Sequence, residues 1–153
     1  MPETLAPSVT IRRASEVDVD RLVEMGRHFR DQTVYRNYVG DDPAHMRRLA
    51  ETVLTMGAIF VAERDGVLDG MWAGTVFDHP IAGVRMATEV IWWIEPSARG
   101  AGLAQQMLRM AETWAREQGA TRMQLGSWHD RLDGFYQRLG YTPAERIFNK
   151  DLV

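Results

Sequence analysis

The chain of 153 residues contains no cysteine. That excludes a disulfide framework, a thiolate nucleophile and a Cys-ligated metal, and it fits a reducing compartment. No apolar run approaches the roughly 20 residues that a membrane-spanning helix needs. The opening stretch MPETLAPSVT lacks the basic start and apolar core of a signal peptide. These absences predict a cytoplasmic protein with no membrane partner. A basic excess is missing too. Lys and Arg number 18 against 21 Asp and Glu, giving a formal net charge of -3. A polyanion binder usually shows a clustered basic face, so nucleic acid is not the first partner to consider. Arginines do gather in the C-terminal half, and Arg122, Arg131 and Arg138 leave a local patch open. No Gly-Lys-Ser/Thr triplet and no Gly-x-Ser-x-Gly elbow occur, which removes the P-loop and the common serine-hydrolase turn. His28, His45, His79 and His129 lie far apart without ligand spacing, so no metal is expected.

What is present reads as one domain over residues 1–153. Hydrophobic residues make up 45% and charged residues 25%, enough for a real core. A loose tail is expected over residues 1–7. Residues 8–13 alternate and predict a first strand. Residues 15–35 carry apolar positions near the helical period, with Ser15 as a plausible N-cap. Asp42-Pro43 opens a second helix, since proline suits a first turn. Residues 58–63 form a strand that ends at Asp65-Gly66, a hairpin dipeptide. Residues 71–77 return, and residues 86–95 give a strand rich in β-branched and aromatic side chains. A helix follows over 101–118, a strand over 122–128, a short helix over 130–139 ended by Gly140, and a last strand over 145–152. Hairpins mix with strand–helix–strand crossovers. The predicted fold is a mixed α/β sheet flanked by about four helices.

The densest signal lies between the strand IWWI and the helix after it, in the stretch IEPSARGAGLAQQ. The first amides of a helix lack partners and carry the positive end of its dipole. A pyrophosphate placed there accepts several N–H bonds at once, and small residues let it approach. Read as the dinucleotide fingerprint GxGxxG, the turn fails at Gln105. Read as Arg/Gln-x-x-Gly-x-Gly/Ala, it is filled by Arg99, Gly102 and Ala104.

In that second form the segment EVIWWIEPSARGAGLAQQMLRMAETWAREQGA resembles the acetyl-CoA-binding motif of the GCN5-related N-acetyltransferase (GNAT) family. A second motif, Phe135-Tyr136-x-x-x-Gly140-Tyr141, fits the family's short helix followed by a glycine and an aromatic. The likeness covers roughly the second half of the chain, with an acetyl-CoA-binding core over residues 86–141. It implies a sheet whose strands splay to admit the pantetheine arm, with acetyl-CoA as cosubstrate and an amine as acceptor. Backbone groups of Trp92, Trp93 and Ile94 are then the pantetheine contacts, and one of their N–H groups stabilises the oxyanion. Gly100, Ala101, Gly102, Leu103, Ala104 and Gln105 supply the pyrophosphate amides, and Arg99 adds a cation.

Tyr136 matches the family's tyrosine beside the coenzyme sulfur. A phenol stays protonated at neutral pH and can donate to the departing thiolate. Glu89 lies where some members place a base, and burial would suit it to that task. The other reading of Glu89 is a solvent-facing or ion-paired carboxylate. Glu95, His79 and His129 are fallback bases. His129 replaces the family's asparagine and either bonds the pantetheine or caps the helix that Asp130 begins. One of Trp92 and Trp93 should face the core, and the other either lines the acceptor cleft or packs as well. Asp41 and Asp42 either greet a cationic acceptor amine or belong to a surface loop with a helix cap. A homodimer is plausible by resemblance. The leading expectation is transfer of an acetyl group to a primary amine of a small molecule. Acetylation of a protein or aminoacyl-tRNA amine is the alternative, with a non-catalytic coenzyme A-binding module after it.

Overall fold

The computed structural model describes residues 8–153; the expected tail over residues 1–7 lies outside them. Five strands form one sheet in sequence order: β1 (Val9–Arg13), β2 (Ala58–Arg64), β3 (Val67–Asp78), β4 (Arg85–Ile94) and β5 (Arg122–Gln124). The first four are antiparallel neighbours, and β5 runs parallel to β4. Four helices cover the sheet: α1 (Val19–Gln32), α2 (Pro43–Met56), α3 (Leu103–Glu117) and α4 (Asp130–Arg138). This is the mixed α/β architecture the sequence predicts. Among the described residues no helix is long and apolar enough to cross a membrane.

Strand alternation sorts the core into two layers. From β2, Ala58, Phe60 and Ala62 face α3, where they meet Met107, Ala111 and Trp114. Ile59 and Val61 face the other way, onto Leu22 and Met25 of α1 and Val53 of α2. The hairpin between β2 and β3 turns at Asp65 (φ 50) and Gly66 (φ 78), the left-handed pair that a tight turn demands. Pro43 opens α2 and the Asp42 side chain accepts from the His45 amide. Ser15 begins a 3-10 turn ahead of α1 rather than the helix itself; Asp18 reaches back to the Ser15 amide and pairs with Arg12.

Two irregularities shape the sheet. The β3–β4 register slips between Ala73 and Gly74, which pair with Ile91 and Glu89. Val90 is left over as a bulge. Because side chains alternate, that one residue puts Glu89 on the α3 side, with Ala87 and Trp92, instead of the α1 side with Ile91. Gly74 sits beneath the Trp72 ring, where an added Cβ would lie 2.2 Å from the indole.

The C-terminal strands depart from expectation. β5 ends at Gln124 instead of continuing to Trp128. The strand expected over 145–152 does not form, and residues 142–153 are exposed and unpaired. A strand needs a ladder partner, and side-chain pattern alone cannot supply one. By contrast β3 runs longer than its apolar stretch, over 12 residues, because β2 and β4 offer ladders on both sides.

Gly74→Ala is expected to cost about 1–3 kcal/mol through overpacking against Trp72. Gly40→Ala, where nothing lies within 4 Å, should be near neutral. Urea unfolding of the two variants checks the contrast.

Candidate active site

The ladder between β4 and β5 spans three pairs only, Met86↔Arg122, Ala87↔Met123 and Thr88↔Gln124. Beyond Thr88 the two strands part, and residues 89–94 lose their neighbour on that side. The Glu95 amide donates to the Asp69 carbonyl at 2.8 Å, which sets the phase of the β3–β4 ladder. Successive residues of an antiparallel strand turn their N–H and C=O groups to alternate sides. Ile91 and Trp93 therefore face β3. Trp92 and Ile94 face the opening. Of the three backbones expected to meet the pantetheine, that of Trp93 points to β3, while those of Trp92 and Ile94 point into the opening, the Ile94 carbonyl bonded to Arg99.

The side chains divide accordingly. Trp93 is buried on the α1 side, edge-on to Phe29 at 6.3 Å between centroids. Trp92 lies on the α3 side, with Phe135 at 6.2 Å and the Tyr136 ring stacked at 6.3 Å and 14°. Both tryptophans pack. The indole Nε1 of Trp92 is buried without a partner.

Glu89 reaches across the split. Its Oε1 accepts from the Gly126 amide at 3.1 Å, and its Oε2 is buried with no partner. Burial raises this carboxyl from 4.5 to about 7, and the Gly126 bond opposes the rise. Tyr136 meets the same residue from the other side: its hydroxyl donates to the Gly126 carbonyl at 2.9 Å. Burial, and then the charge of Glu89, raise the phenol above its ordinary 10.0. Two groups of opposite use, an acceptor for protons near neutrality and a donor that stays protonated, thus hang on one peptide residue. The sequence does not single out Gly126. Its only signal is a glycine inside the strand expected over 122–128, where no turn requires one. A Cβ there would come within 3.2 Å of Glu89 Oε1.

The glycine turn lies at the end of the opening. Gly100 and Gly102 adopt φ 93 and 75, and no atom stands within 4 Å of where their Cβ would be. Gly102 is the N-cap of α3, with no side-chain cap. Among the described residues the amides of Gly100, Ala101, Gly102, Leu103, Ala104 and Gln105 have no acceptor; the first bond of the helix runs from Gln106 to the Gly102 carbonyl. A cradle of free donors without side chains fits an anion of pyrophosphate size. Arg99 turns back from it. Its Nε donates to the Ile94 carbonyl at 2.8 Å and its guanidinium lies 4.6 Å from the Trp93 ring centre.

The remaining candidates are engaged elsewhere. His129 caps α4, its Nδ1 accepting from the Arg131 amide at 3.1 Å. Glu95 binds Nδ1 of His28 at 2.6 Å and Arg21 at 3.4 Å on the α1 side. His79 accepts from the Ile81 amide in the β3–β4 loop. Asp41 is held by Arg27 at 2.8 Å and Asp42 caps α2, so neither awaits a cation. An aromatic row lies nearby instead. Tyr35 lies in the 3-10 turn after α1, with Phe29 at 5.0 Å and Tyr38 at 5.5 Å. Its phenol is raised by burial, by Tyr38 and by the Glu89 charge.

Comparison with known proteins agrees with this geometry. The sequence model of the acetyltransferase (GNAT) family matches residues 24–141. A blasticidin-S acetyltransferase of Streptomyces morookaense is 43% identical over 56 residues. The match covers 36% of this chain and 41% of that protein, so the chain aligns with about two fifths of its relative's length. Among solved structures, the aminoglycoside N-acetyltransferase AAC(6')-Iy in complex with CoA superposes with a TM-score of 0.79 at 18% identity, over 98% of this chain and 99% of that one. A putative acetyl transferase from Pyrococcus furiosus gives 0.77 at 25% identity, over 95% and 100%.

Glu89 holds its proton to a higher pH in the folded chain than in the unfolded one. Between about 4.5 and about 7 the folded state therefore binds more protons, and stability falls as pH rises through that window. Glu89→Gln should remove this slope, so its stability relative to wild type improves from pH 5 to pH 7.5. Chemical unfolding of both proteins across that range decides it; parallel curves would place Glu89 at an ordinary value.

Proposed function

The chain belongs to the acetyltransferase (GNAT) family, and from that premise we propose that it moves an acetyl group from acetyl-CoA to the primary amine of a small molecule by direct transfer, in the cytoplasm and as a homodimer. One observation carries the reading. The unpaired edge of β4 runs from Glu89 and Tyr136, both anchored on Gly126, to the free amides that open α3. A long ligand with a reactive end and an anionic middle matches that sequence of groups.

The chemistry assigns each group a task. The amine nitrogen attacks the thioester carbonyl carbon and the carbon–sulfur bond breaks. The ammonium proton goes to the Glu89 carboxylate, which is available near and above pH 7. The Tyr136 hydroxyl exchanges the Gly126 carbonyl for the leaving sulfur and donates its proton there, and the second proton that the nitrogen loses on becoming an amide restores the phenol. The Trp92 N–H faces the opening and serves the developing oxyanion or the pantetheine amides. Gly100 to Gln105 hold the pyrophosphate, while Arg99, bonded to the Ile94 carbonyl and resting on Trp93, steadies the turn.

Two relatives support a small acceptor. Their names describe enzymes acting on blasticidin-S and on aminoglycosides, and the second carries CoA. The aromatic row Phe29, Tyr35 and Tyr38 offers faces on which a cationic amine can rest.

Isothermal titration with acetyl-CoA, free coenzyme A and NAD is the direct test. Both coenzyme A species should bind and NAD should not. Gly102→Glu is expected to abolish that binding, because a carboxylate would stand where the pyrophosphate sits; unchanged affinity removes the turn from the site. Tyr136→Phe should keep binding and lower turnover by about 10²–10⁴-fold, the usual worth of a positioned acid. Glu89→Gln should lower turnover and erase the rise in rate near pH 7. A variant of either kind that turns over like wild type strips that residue of its role.

A further inference from the structure

Few polar ties fasten residues 125–153 to the rest of the molecule. Among the described residues, only Gly126 and Tyr141 of this segment hydrogen-bond to the chain before it. Gly126 meets Glu89 on β4. The Tyr141 hydroxyl donates to Glu112 Oε1 on α3 at 2.8 Å, with Met123 Sδ 3.3 Å away. The first tie belongs to the site described above, and the second has no task there.

Local geometry brings Tyr141 to this place. Gly140 (φ 91) ends α4 in a left-handed turn; its amide bonds to the Gln137 carbonyl, and the Tyr141 amide bonds to the Tyr136 carbonyl. That turn folds Tyr141 back toward Tyr136, with ring centres 6.1 Å apart. A helix of nine residues does not hold its own shape, so the place of Tyr136 depends on what α4 is tied to. Glu112 is half-buried, and its other oxygen lies 3.6 Å from Arg116. A hydrogen bond to a carboxylate is stronger than one between neutral groups. Burial, and then this bond, raise the Tyr141 phenol above its ordinary 10.0, so it stays a donor.

One helix thus carries both the cradle proposed for the pyrophosphate and the anchor of the proposed acid. Glu112 follows Gly102 by ten residues, about 15 Å along α3. A coenzyme arm of fixed length must reach from that cradle to the Tyr136 hydroxyl. If α4 slides against α3, the sulfur and the hydroxyl miss each other, and a misplacement of about 1 Å can cost 10²-fold. We propose that Glu112 is a positioning residue for the transfer step: by holding the Tyr141 hydroxyl it fixes where Tyr136 stands relative to the α3 cradle. It touches neither coenzyme nor acceptor and acts only through Tyr141 and Tyr136. The role rests on the acetyltransferase reading.

The test uses three variants of the full chain, with turnover and coenzyme A affinity measured separately. Glu112→Leu removes the acceptor, Tyr141→Phe removes the donor but keeps the ring, and Glu112→Gln keeps an acceptor in place. Turnover at saturating substrate should fall about tenfold or more in the first two and stay within about twofold of wild type in Glu112→Gln. Coenzyme A affinity should stay within about twofold in all three, because the α3 amides are untouched. Combining Glu112→Leu with Tyr141→Phe should cost no more than either alone. The decisive comparison is made in a Tyr136→Phe chain, where Glu112→Leu should cost nothing further. Circular dichroism checks that each variant folds. Wild-type turnover in both Glu112→Leu and Tyr141→Phe overturns the proposal. So does a loss of equal size with and without the Tyr136 hydroxyl, or one that Glu112→Gln shares, since neither is an effect of the Tyr141 bond on the acid. A wild-type chain that acetylates no amine removes the acetyltransferase reading and this role with it. An active chain that ignores the loss of Glu112 removes this role alone.

Discussion

Parting of β4 from β5 is the constraint on which the rest of the molecule depends. A parallel neighbour normally satisfies one whole side of a strand, and here it stops after Thr88↔Gln124. Backbone groups beyond that point must find partners elsewhere or be left for a ligand. The Arg99 side chain takes the Ile94 carbonyl. The Glu89 carboxylate takes the Gly126 amide in place of a strand bond. The amide and carbonyl of Trp92 stay open, and the opening leads to the uncapped start of α3. The proposed binding surface and the proposed catalytic groups are therefore consequences of the same missing ladder.

The Val90 bulge makes that arrangement work. Without the extra residue, strict alternation would send Glu89 to the α1 side, among Ile91 and Trp93. With it, the carboxylate enters the pocket formed by Trp92, Tyr136 and the 125–128 segment. There it is shielded from water, which raises it to about 7; burial chiefly raises the phenols of Tyr35, Tyr136 and Tyr141, with the Glu112 bond next at Tyr141, and the Glu89 charge adds to each. The proposed acid and base share one environment: burial penalises the charged form of both groups, leaving the glutamate near neutrality and the tyrosine firmly protonated. Glu89 Oε2 is buried there without a partner.

Engagement elsewhere is as informative as availability. Glu95, His28 and Arg21 form a cluster that ties the end of β4 to α1, and Asp41 and Asp42 serve Arg27 and the α2 cap. These are polar residues of the right types at suggestive positions in the chain, yet each already has a partner. Glu89 differs in having one oxygen satisfied and one buried without a partner.

Much of this was legible in the sequence because it is local. Period-two alternation fixed the layers of β2, and the glycine turn announced free helix amides, since both follow from backbone geometry over a few residues. Tyr136 and the start of α2 belong to the same class. Other features required the tertiary structure, because they depend on which segments meet. The bulge at Val90 is a register mismatch with β3, invisible in β4 alone. Gly126 matters only because Glu89 and Tyr136, 37 residues before it and 10 after, converge there. The side of the strand to which Trp93 turns its backbone depends on one bond from Glu95 to Asp69. Pattern gives residues 145–152 a strand's composition, but a strand exists only where it meets a ladder, and these residues meet none.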